Sequence, residues 1–362
     1  MAATVTDLAA RDGVDVVDCD VHVAPRTLEP LLAYMDDYWA DYVAHSELFL
    51  SPSMNGTYPP AAFLPGVEAG ARVAVPATLD ELRDGFLAAS PASSAVLTCI
   101  TPFDTSRNPY YEAALCAGVN DWLRGEFLER DDRLRGSLVL PTLDPDAAVA
   151  EIERLGAHPG FVQVLLPVRT EAPYGNPRHH RVWEAAERAG LVVGLHAWGR
   201  VGNAPTASGF TRSYLEDYAS NSQVVVQAQV TSLVSEGVFE RFGALRVVLL
   251  ECGFAWLPFL LWRFDKDWKA VWREVPWVKR RPSEYVREHI RLTTAPAQLP
   301  ADPAVLARIG DLMPVTEMLL YASDHPHRHG GGIEPLLDVL DDAGRRAILA
   351  GNAAALYGLG TR

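Results

Sequence analysis

The sequence predicts an α/β fold, a (β/α)8 TIM barrel with insertions after its first and sixth strands. Short apolar runs recur along the chain with helix-like stretches between them, and their number, eight, favours a closed barrel over an open sheet. The runs are β-branched or leucine-rich, as is typical of parallel strands covered on both faces. They are Val14–Val23, Ala95–Ile100, Gly136–Leu140, Phe161–Leu166, Leu191–His196, Leu245–Cys252, Ile290–Thr294 and Met318–Ser323.

Amphipathic stretches lie between these runs and predict the helices of the barrel. Examples are Tyr110–Arg130, Pro145–Leu155, Arg178–Ala189 and Ser232–Arg241. The second of them has clear end signals. Asp144 supplies an N-cap, Pro145 suits the first helical position, and Gly156 follows as a stop.

Two segments are longer than a minimal barrel requires. Residues 24–94 separate the first two strands, and residues 263–289 follow the sixth. Long insertions after barrel strands lie at the catalytic face and shape the substrate mouth. Because the 362 residues contain no internal repeat and no linker, we predict one domain over residues 1–362 rather than two.

Composition and charge exclude several classes of protein. With 49% hydrophobic and 22% charged residues, the chain is neither disordered nor collagen-like. Its net charge of −14 and the absence of a dense basic cluster argue against nucleic acid as a partner. The longest apolar run, Val247–Trp262, is interrupted by Glu251 and Pro258, so we predict no membrane association. The first residues lack the pattern of a signal peptide and the four cysteines form no C-x-x-C pair, so we expect a cytoplasmic protein with reduced thiols.

Candidate metal ligands stand at the ends of four predicted strands. The first strand ends with Asp20 and His22, whose spacing of two residues places both side chains on one face. His196 ends the fifth strand, Glu251 follows the sixth and Asp324 follows the eighth. Because the carboxyl ends of barrel strands meet at the catalytic face, these five residues together predict a metal site.

Three carboxylates and two imidazoles leave the identity of the metal open. A catalytic zinc needs only three protein ligands, whereas a surplus of oxygen donors suits iron or manganese. Either one ion or two ions bridged by a carboxylate such as Glu251 would fit this ligand set. We therefore expect a divalent metal ion, Fe, Mn or Zn, with one or two per chain. A salt bridge to Arg263 is the structural alternative for Glu251.

Three elements of the site, DCDVH at 18–22, the histidine after strand five and ASDHPH at 322–327, resemble the amidohydrolase superfamily in its amidohydrolase-related branch. The segments GVFERFGALRVVLLECGFAWLP, RPSEYVREHIRLTTAP and ILAGNAAALYGL are similar to blocks of the same branch outside the site. The resemblance covers nearly the whole chain, from Asp18 to Leu359. It implies a metal-dependent barrel that acts as a hydrolase or as a non-oxidative decarboxylase of small carboxylic acids.

The chain departs from that family's patterns at three places. Asp20 stands where the first motif most often has a histidine, much as glutamate does in the aromatic-acid decarboxylases. Glu251 stands where those decarboxylases carry a histidine of their catalytic machinery. Strand four has no lysine that could carry a bridging carboxylate. The second departure weakens the likeness to decarboxylases, so hydrolysis is the preferred expectation.

We expect a hydrolase in which metal-activated water cleaves an acyl bond, an amide, ester, lactone or thioester, of a small organic-acid or acyl substrate. The resemblance implies that Asp324 takes the proton of that water, with Glu251 as a metal bridge or second acid–base group. His325 or His327 could stabilise the oxyanion, although both equally suit a plain loop. The alternative is a metal-dependent decarboxylase of an aromatic or unsaturated acid, in which Asp324 delivers a proton to the carbon that loses CO₂. A barrel that binds a ligand without turnover is a third hypothesis.

The expected partner is a small-molecule substrate, and five residues are predicted to contact it. Trp198 and Trp256 could enclose an apolar substrate body, and Arg169 and Arg200 could hold its carboxylate or phosphate. His327 completes this set. Packing or surface roles are the alternative for each. For the oligomeric state, we consider a homodimer.

Overall fold

Eight parallel strands form one sheet in the order in which they occur along the chain. The computed structural model describes residues 4–46, 75–100, 107–199, 224–327 and 331–360, with positions 209, 212, 213, 216 and 329. The strands are β1 Val16–His22, β2 Ala92–Thr98, β3 Leu134–Val139, β4 Phe161–Arg169, β5 Val192–Gly199, β6 Val247–Leu250, β7 Ile290–Thr293 and β8 Leu319–Leu320. The sheet nearly closes into a barrel, because the Cys19 N–H donates to the Tyr321 carbonyl at 2.9 Å and the His22 N–H to the His325 carbonyl at 2.7 Å. The predicted (β/α)8 TIM barrel is confirmed.

All eight predicted runs correspond to strands, but two of the strands are clearly shorter than predicted. β6 ends at Leu250 and β8 ends at Leu320. For β6 the reason is the residue that follows it, because Glu251 has φ 55°, a left-handed conformation that ends the extended chain. Asp324, with φ 58°, lies four residues beyond the end of β8. The sequence predicted extended chain as far as Cys252 and Ser323.

Helices fill the connections between the strands. The α-helices are Val5–Asp12, Asp37–His45, Leu79–Leu82, Pro109–Leu123, Pro145–Leu155, His180–Ala189, Val226–Ser235, Val238–Arg241, Leu257–Val271, Pro282–His289, Pro303–Leu306, Ile309–Leu312, Val315–Met318, Glu334–Val339, Asp342–Arg346 and Asn352–Tyr357. Short 3₁₀ helices span Glu29–Tyr34 and Pro177–His179, and π-helical turns span Arg83–Leu87, Arg124–Leu128 and Ala347–Gly351. The helix that begins at Pro145 starts as predicted, because the Asp144 carboxylate accepts the Asp146 N–H at 2.9 Å.

The hydrophobic core runs through the barrel and the surrounding helices. Leu138, Leu165, Leu195 and Leu249, from four consecutive strands, are all fully buried. Burying a side chain of this size stabilises the fold by about 1.5–3 kcal/mol. This apolar frame fixes the strand ends, and through them the polar side chains that follow.

The two predicted insertions are partly within the described residues. Residues 47–74 of the first insertion lie outside them, and its described part contains the helices Asp37–His45 and Leu79–Leu82. The second, 263–289, is mostly helical, because the helix Leu257–Val271 continues into it and the helix Pro282–His289 leads to β7. In the described part of the chain, none of the helices has the length and apolar character needed to cross a membrane.

Candidate metal centre

Five buried polar side chains meet at the carboxyl end of the barrel. Asp20 and His22 lie on β1, His196 lies on β5, Glu251 follows β6 directly, and Asp324 lies beyond β8. Their exposed fractions are 1%, 1%, 0%, 4% and 0% in that order. These are the five predicted metal ligands, and the structure brings all of them together. Charged groups buried this deeply require a charged partner, hydrogen bonds or a metal ion.

Asp20, His22 and His196 form a trio of potential ligands. Nε2 of His196 is 3.5 Å from Asp20 Oδ2, and Nε2 of His22 is 3.6 Å from Asp20 Oδ1. One donor atom from each lies within 4.8 Å of the other two. Within the described part of the chain, the carboxylate oxygens of Asp20, both ring nitrogens of His196 and Nδ1 of His22 make no hydrogen bond, whereas Nε2 of His22 faces the carboxylate of Asp324. Each unsatisfied buried polar group costs about 1–3 kcal/mol, so the trio fits a divalent cation that would satisfy several at once.

A second group surrounds Asp324. Its Oδ1 lies 2.8 Å from Nε2 of His22 and 3.0 Å from Nδ1 of His327. One donor atom from each of His22, Glu251, Asp324 and His327 lies within 4.8 Å of the other three. His22 belongs to both groups, so the trio and the Asp324 group form one continuous centre.

His329 also belongs to the centre, although it is not among the residues predicted from the sequence. Its Nε2 lies 2.5 Å from Oδ2 of Asp324, and its side chain is 20% exposed. The available signal was the alternation of three histidines, His325, His327 and His329, directly after Asp324. Side chains of alternate residues in such a segment can lie on the same side of the chain. Here His327 and His329 both contact the Asp324 carboxylate.

The imidazoles around Asp324 control its charge. Burial alone would raise its pKa, but His327, with His22 and His329, holds the pKa of this carboxyl well below its usual range. Burial would lower the pKa of His327, yet the Asp324 carboxylate raises it to about 9. The pKa of His329 is raised by Asp324 as well, against the effect of burial. Without a metal ion, the Asp324 carboxylate and the imidazoles of His327 and His329 therefore favour one another's charged forms.

The other buried acids differ from Asp324. Burial and the neighbouring Asp324 charge raise the pKa of Glu251. Burial raises the pKa of Asp18 to about 7. Like His329, Asp18 is not among the site residues predicted from the sequence. Its Oδ1 accepts the Ser323 N–H at 3.0 Å and the Asp20 N–H at 3.3 Å. It therefore ties β1 to the segment that carries Asp324.

Backbone conformation aims both late carboxylates into the centre. Among the described residues, Glu251 and Asp324 are the two non-glycine residues with positive φ. Such conformations cost about 1–3 kcal/mol and persist where the surroundings hold them. Here the Glu251 N–H donates to Oγ1 of Thr293 on β7 at 3.1 Å, and the Asp324 N–H donates to the Asp20 carbonyl at 3.1 Å. Hydrogen bonds from neighbouring strands thus hold both turns.

The predicted substrate-contact residues have different surroundings. The ring of Trp198 lies 5.5 Å from the ring of His196, and the ring of His327 lies 4.4 Å from the ring of His22. Trp256 is buried, and its Nε1 donates to the carbonyls of Cys252 and Gly253, so it braces the turn that carries Glu251. Trp198 and His327 thus contact the centre directly, whereas Trp256 supports it.

Three further candidates lie at the margin of the centre or beyond the described residues. His325 packs against Phe86, with ring centroids 4.8 Å apart, and its N–H donates to Oγ of Ser323. Arg169 ends β4 and packs over Gly199, where an added Cβ would lie 2.0 Å from Cβ of Arg169. Arg200 lies outside the described residues. Roles of these residues in catalysis and binding remain predictions.

Comparison with known proteins gives one family and several relatives. The family model described as Amidohydrolase matches residues 17–359. The chain is 29% identical over 260 residues to a gamma-resorcylate decarboxylase of Rhodococcus jostii (strain RHA1), covering 67% of this chain and 75% of the relative. It is 28% identical over 231 residues to the decarboxylase orsB of Emericella nidulans, covering 56% of this chain and 68% of the relative.

Among solved structures, the chain is similar to a dihydroxybenzoic acid decarboxylase of Polaromonas sp. JS666 with bound manganese and the inhibitor 2-nitroresorcinol. The TM-score is 0.63 at 20% identity, and the match covers 96% of this chain and 97% of the other. At this level of identity the similarity shows the shared fold.

Proposed function

Because the chain belongs to the amidohydrolase family, we propose that it is a metal-dependent, non-oxidative decarboxylase of an aromatic or unsaturated carboxylic acid. The observation that carries the proposal is the buried, unsatisfied trio Asp20, His22 and His196 beside Asp324. The curated relatives reported above are decarboxylases, so the comparisons favour this activity over the acyl hydrolysis that the sequence motifs favoured. Hydrolysis, thioester cleavage included, becomes the alternative that the experiment must exclude.

We propose that Asp20, His22, His196 and Asp324 hold a divalent metal ion. When bound, such an ion would supply a Lewis acid that holds and polarises the oxygens of the substrate. Two carboxylates and two imidazoles suit manganese, iron and zinc alike, and a relative of the same fold has bound manganese. Manganese is therefore the first ion to test, with iron and zinc beside it.

Decarboxylation replaces a carboxylate with a proton at the same carbon. The C–C bond breaks, its electron pair stays on the carbon, CO₂ leaves, and a proton must reach that carbon. Asp324 is fully buried, while the side chains of its partners His327 and His329 are 19% and 20% exposed. The two imidazoles therefore connect the solvent side to the buried carboxylate. Asp324 is the group that delivers the proton in this proposal.

Trp198 provides an apolar wall for the substrate. Its side chain is 5% exposed and lies edge-on to His196. An aromatic ring fits beside such a surface through stacked or edge-to-face contacts. Arg169 ends β4, and in this proposal it holds a substrate oxygen.

The test compares two reactions on the same protein. Metal-depleted protein is reloaded with Mn²⁺, Fe²⁺ or Zn²⁺ and incubated with a panel of aromatic acids that includes 2,6-dihydroxybenzoate, and separately with activated esters and thioesters. We expect metal-dependent release of CO₂ with matching formation of the decarboxylated product. Cleavage of the esters without any release of CO₂ would refute the proposal and restore hydrolysis.

A further inference from the structure

We propose that Thr98, the last residue of β2, hydrogen-bonds an oxygen substituent on the ring of the substrate and so selects acids that carry one. The inference rests on the proposed function, because it concerns a substrate of the same centre. Its test measures binding without turnover, so its failure is separate from a failure of the decarboxylase proposal.

The side chain of Thr98 points into the barrel beside the metal centre. Thr98 pairs with His22 of β1, and its carbonyl accepts the Val23 N–H at 3.1 Å. Paired residues of neighbouring parallel strands turn their side chains to the same face of the sheet, and such strands lie about 4.8 Å apart. Because His22 faces the Asp324 carboxylate inside the barrel, Thr98 faces the interior as well.

The hydroxyl of Thr98 has no hydrogen-bond partner in the described part of the chain. The residue is fully buried, and its Oγ1 makes no hydrogen bond there. Among the described residues of β2, β3 and β4, no other buried side-chain oxygen or nitrogen is in that state. An unpaired buried hydroxyl destabilises the free protein, so a bound molecule that supplies the missing partner gains affinity from it.

The interior surface next to Thr98 is apolar. Pro167 of β4 pairs with His196, so its side chain lies on the interior face. Leu165, two residues earlier, lies on the same face and pairs with Val139 of β3. Pro167, Leu165 and Val139 are all buried. From β2 to β4, the described interior surface therefore offers a substrate ring an apolar contact, with the Thr98 hydroxyl as its unpaired polar group.

His22 lies between Thr98 and the residues that act on the carboxylate. β1 is flanked by β2 and by the segment after β8, and the His22 ring turns toward that segment, 4.4 Å from the ring of His327. In the proposed function, the metal ion and Asp324 act on the substrate carboxylate and on the carbon that loses it. The hydroxyl on the β2 side is therefore left to a substituent of the ring.

A hydroxyl at this position discriminates between substrates in two ways. It donates one hydrogen bond and accepts others, so it suits a phenol or a phenolate oxygen. A ring without such an oxygen would cover Thr98 and keep its hydroxyl unpaired and away from water. Sites that hydrogen-bond a substrate group reject analogues that lack it for this reason.

The first experiment measures binding to Mn²⁺-loaded full-length protein by isothermal titration calorimetry. The probes are benzoate and its 2-, 3- and 4-hydroxy derivatives, which differ from benzoate by one ring oxygen. We expect the wild type to prefer at least one derivative over benzoate, and Thr98→Val to lose about 10-fold of that preference while its affinity for benzoate is retained. Thr98→Ser keeps the hydroxyl and should keep the preference. Equal preferences in Thr98→Val and the wild type for all three derivatives would overturn the inference and leave the decarboxylase proposal intact.

The second experiment separates contact with the substrate from a structural role. Because Oγ1 of Thr98 makes no hydrogen bond within the described residues, Thr98→Val should lower neither the urea midpoint of metal-free protein nor the affinity for Mn²⁺. Thr294→Val is the control and should lower the midpoint, since the Thr294 hydroxyl donates to the Ala322 carbonyl at 3.2 Å and accepts the Ala322 N–H at 3.0 Å. A lower midpoint or weaker Mn²⁺ binding in Thr98→Val would overturn the inference and make Thr98 a support of the fold or of His22.

Discussion

Thr293→Val tests whether a hydrogen bond from β7 holds the left-handed turn at Glu251. Thr293 is fully buried, and its Oγ1 accepts the Glu251 N–H at 3.1 Å. Valine has nearly the same shape but no acceptor, so the change leaves this N–H without its partner. Glu251 has φ 55°, a conformation that a glutamate adopts only when its surroundings hold it there.

The expected loss of stability follows mainly from that N–H, although valine also removes the hydroxyl that donates to the Leu249 carbonyl at 3.3 Å. Leaving a buried N–H unsatisfied costs about 1–3 kcal/mol. The left-handed conformation itself costs about 1–3 kcal/mol, and the variant can recover part of it by letting the turn relax. We therefore expect the free energy of unfolding to fall by about 1–3 kcal/mol. We also expect a lower affinity for Mn²⁺, because Glu251 is one of the five metal ligands predicted from the sequence and is no longer held in place.

Urea denaturation of metal-free protein measures the change in the free energy of unfolding. Titration with Mn²⁺ measures the change in metal affinity. Thr293→Ser is the control, because it keeps the hydroxyl and loses only a methyl group, so the Glu251 N–H keeps its acceptor. The reasoning is refuted if Thr293→Val changes the unfolding free energy by less than about 0.5 kcal/mol. It is equally refuted if Thr293→Ser weakens Mn²⁺ binding as much as Thr293→Val does.

Three further predictions concern the centre. Asp20→Asn should lower Mn²⁺ affinity by at least about 100-fold in a calorimetric titration, whereas Asp132→Asn at an exposed position should leave it unchanged. Asp324→Asn should slow CO₂ release by about 10²–10⁴-fold with the circular dichroism spectrum retained, and a variant with full activity would remove Asp324 from its role. Because the pKa of His327 is raised from 6.5 to about 9 in the fold, its stabilising contribution is complete below pH 6.5 and is lost as the pH rises to about 9. The urea midpoint of metal-free protein should therefore fall across that range, and His327→Gln should flatten this part of the profile.

The strands and the five buried polar residues at their ends could be predicted because their signals are local. A parallel strand that is buried on both faces is a continuous apolar run, and a barrel brings the ends of all such runs to one face. No knowledge of the helices or loops was therefore needed to predict Asp20, His22 and His196. The two-residue spacing of Asp20 and His22 already predicted that both side chains lie on one face of β1.

Other residues of the centre depend on contacts between distant parts of the chain. Asp18 matters because the N–H of Ser323, 305 residues away, reaches its carboxylate. His329 reaches Asp324 only because the segment after β8 folds back on itself, as the 2.8 Å hydrogen bond from the His327 N–H to the Asp324 carbonyl shows. Hydrophobic periodicity contains no signal for either contact, since both follow from turns rather than from buried apolar faces.

The choice between hydrolysis and decarboxylation is harder than either the fold or the ligands. In either hypothesis the same buried carboxylates and imidazoles hold the metal ion, and Asp324 is the residue proposed to move a proton. They differ in what lies next to that carboxylate, a water molecule or the carbon of a substrate. The sequence argument for hydrolysis depended on one position, Glu251, which stands where aromatic-acid decarboxylases have a histidine. The structure brings Glu251, Asp324 and His327 together, and Asp324 and His327 are the residues of the proton path that we propose. If that path delivers the proton, the centre needs no histidine at position 251, and the departure at Glu251 does not argue against the proposed decarboxylation.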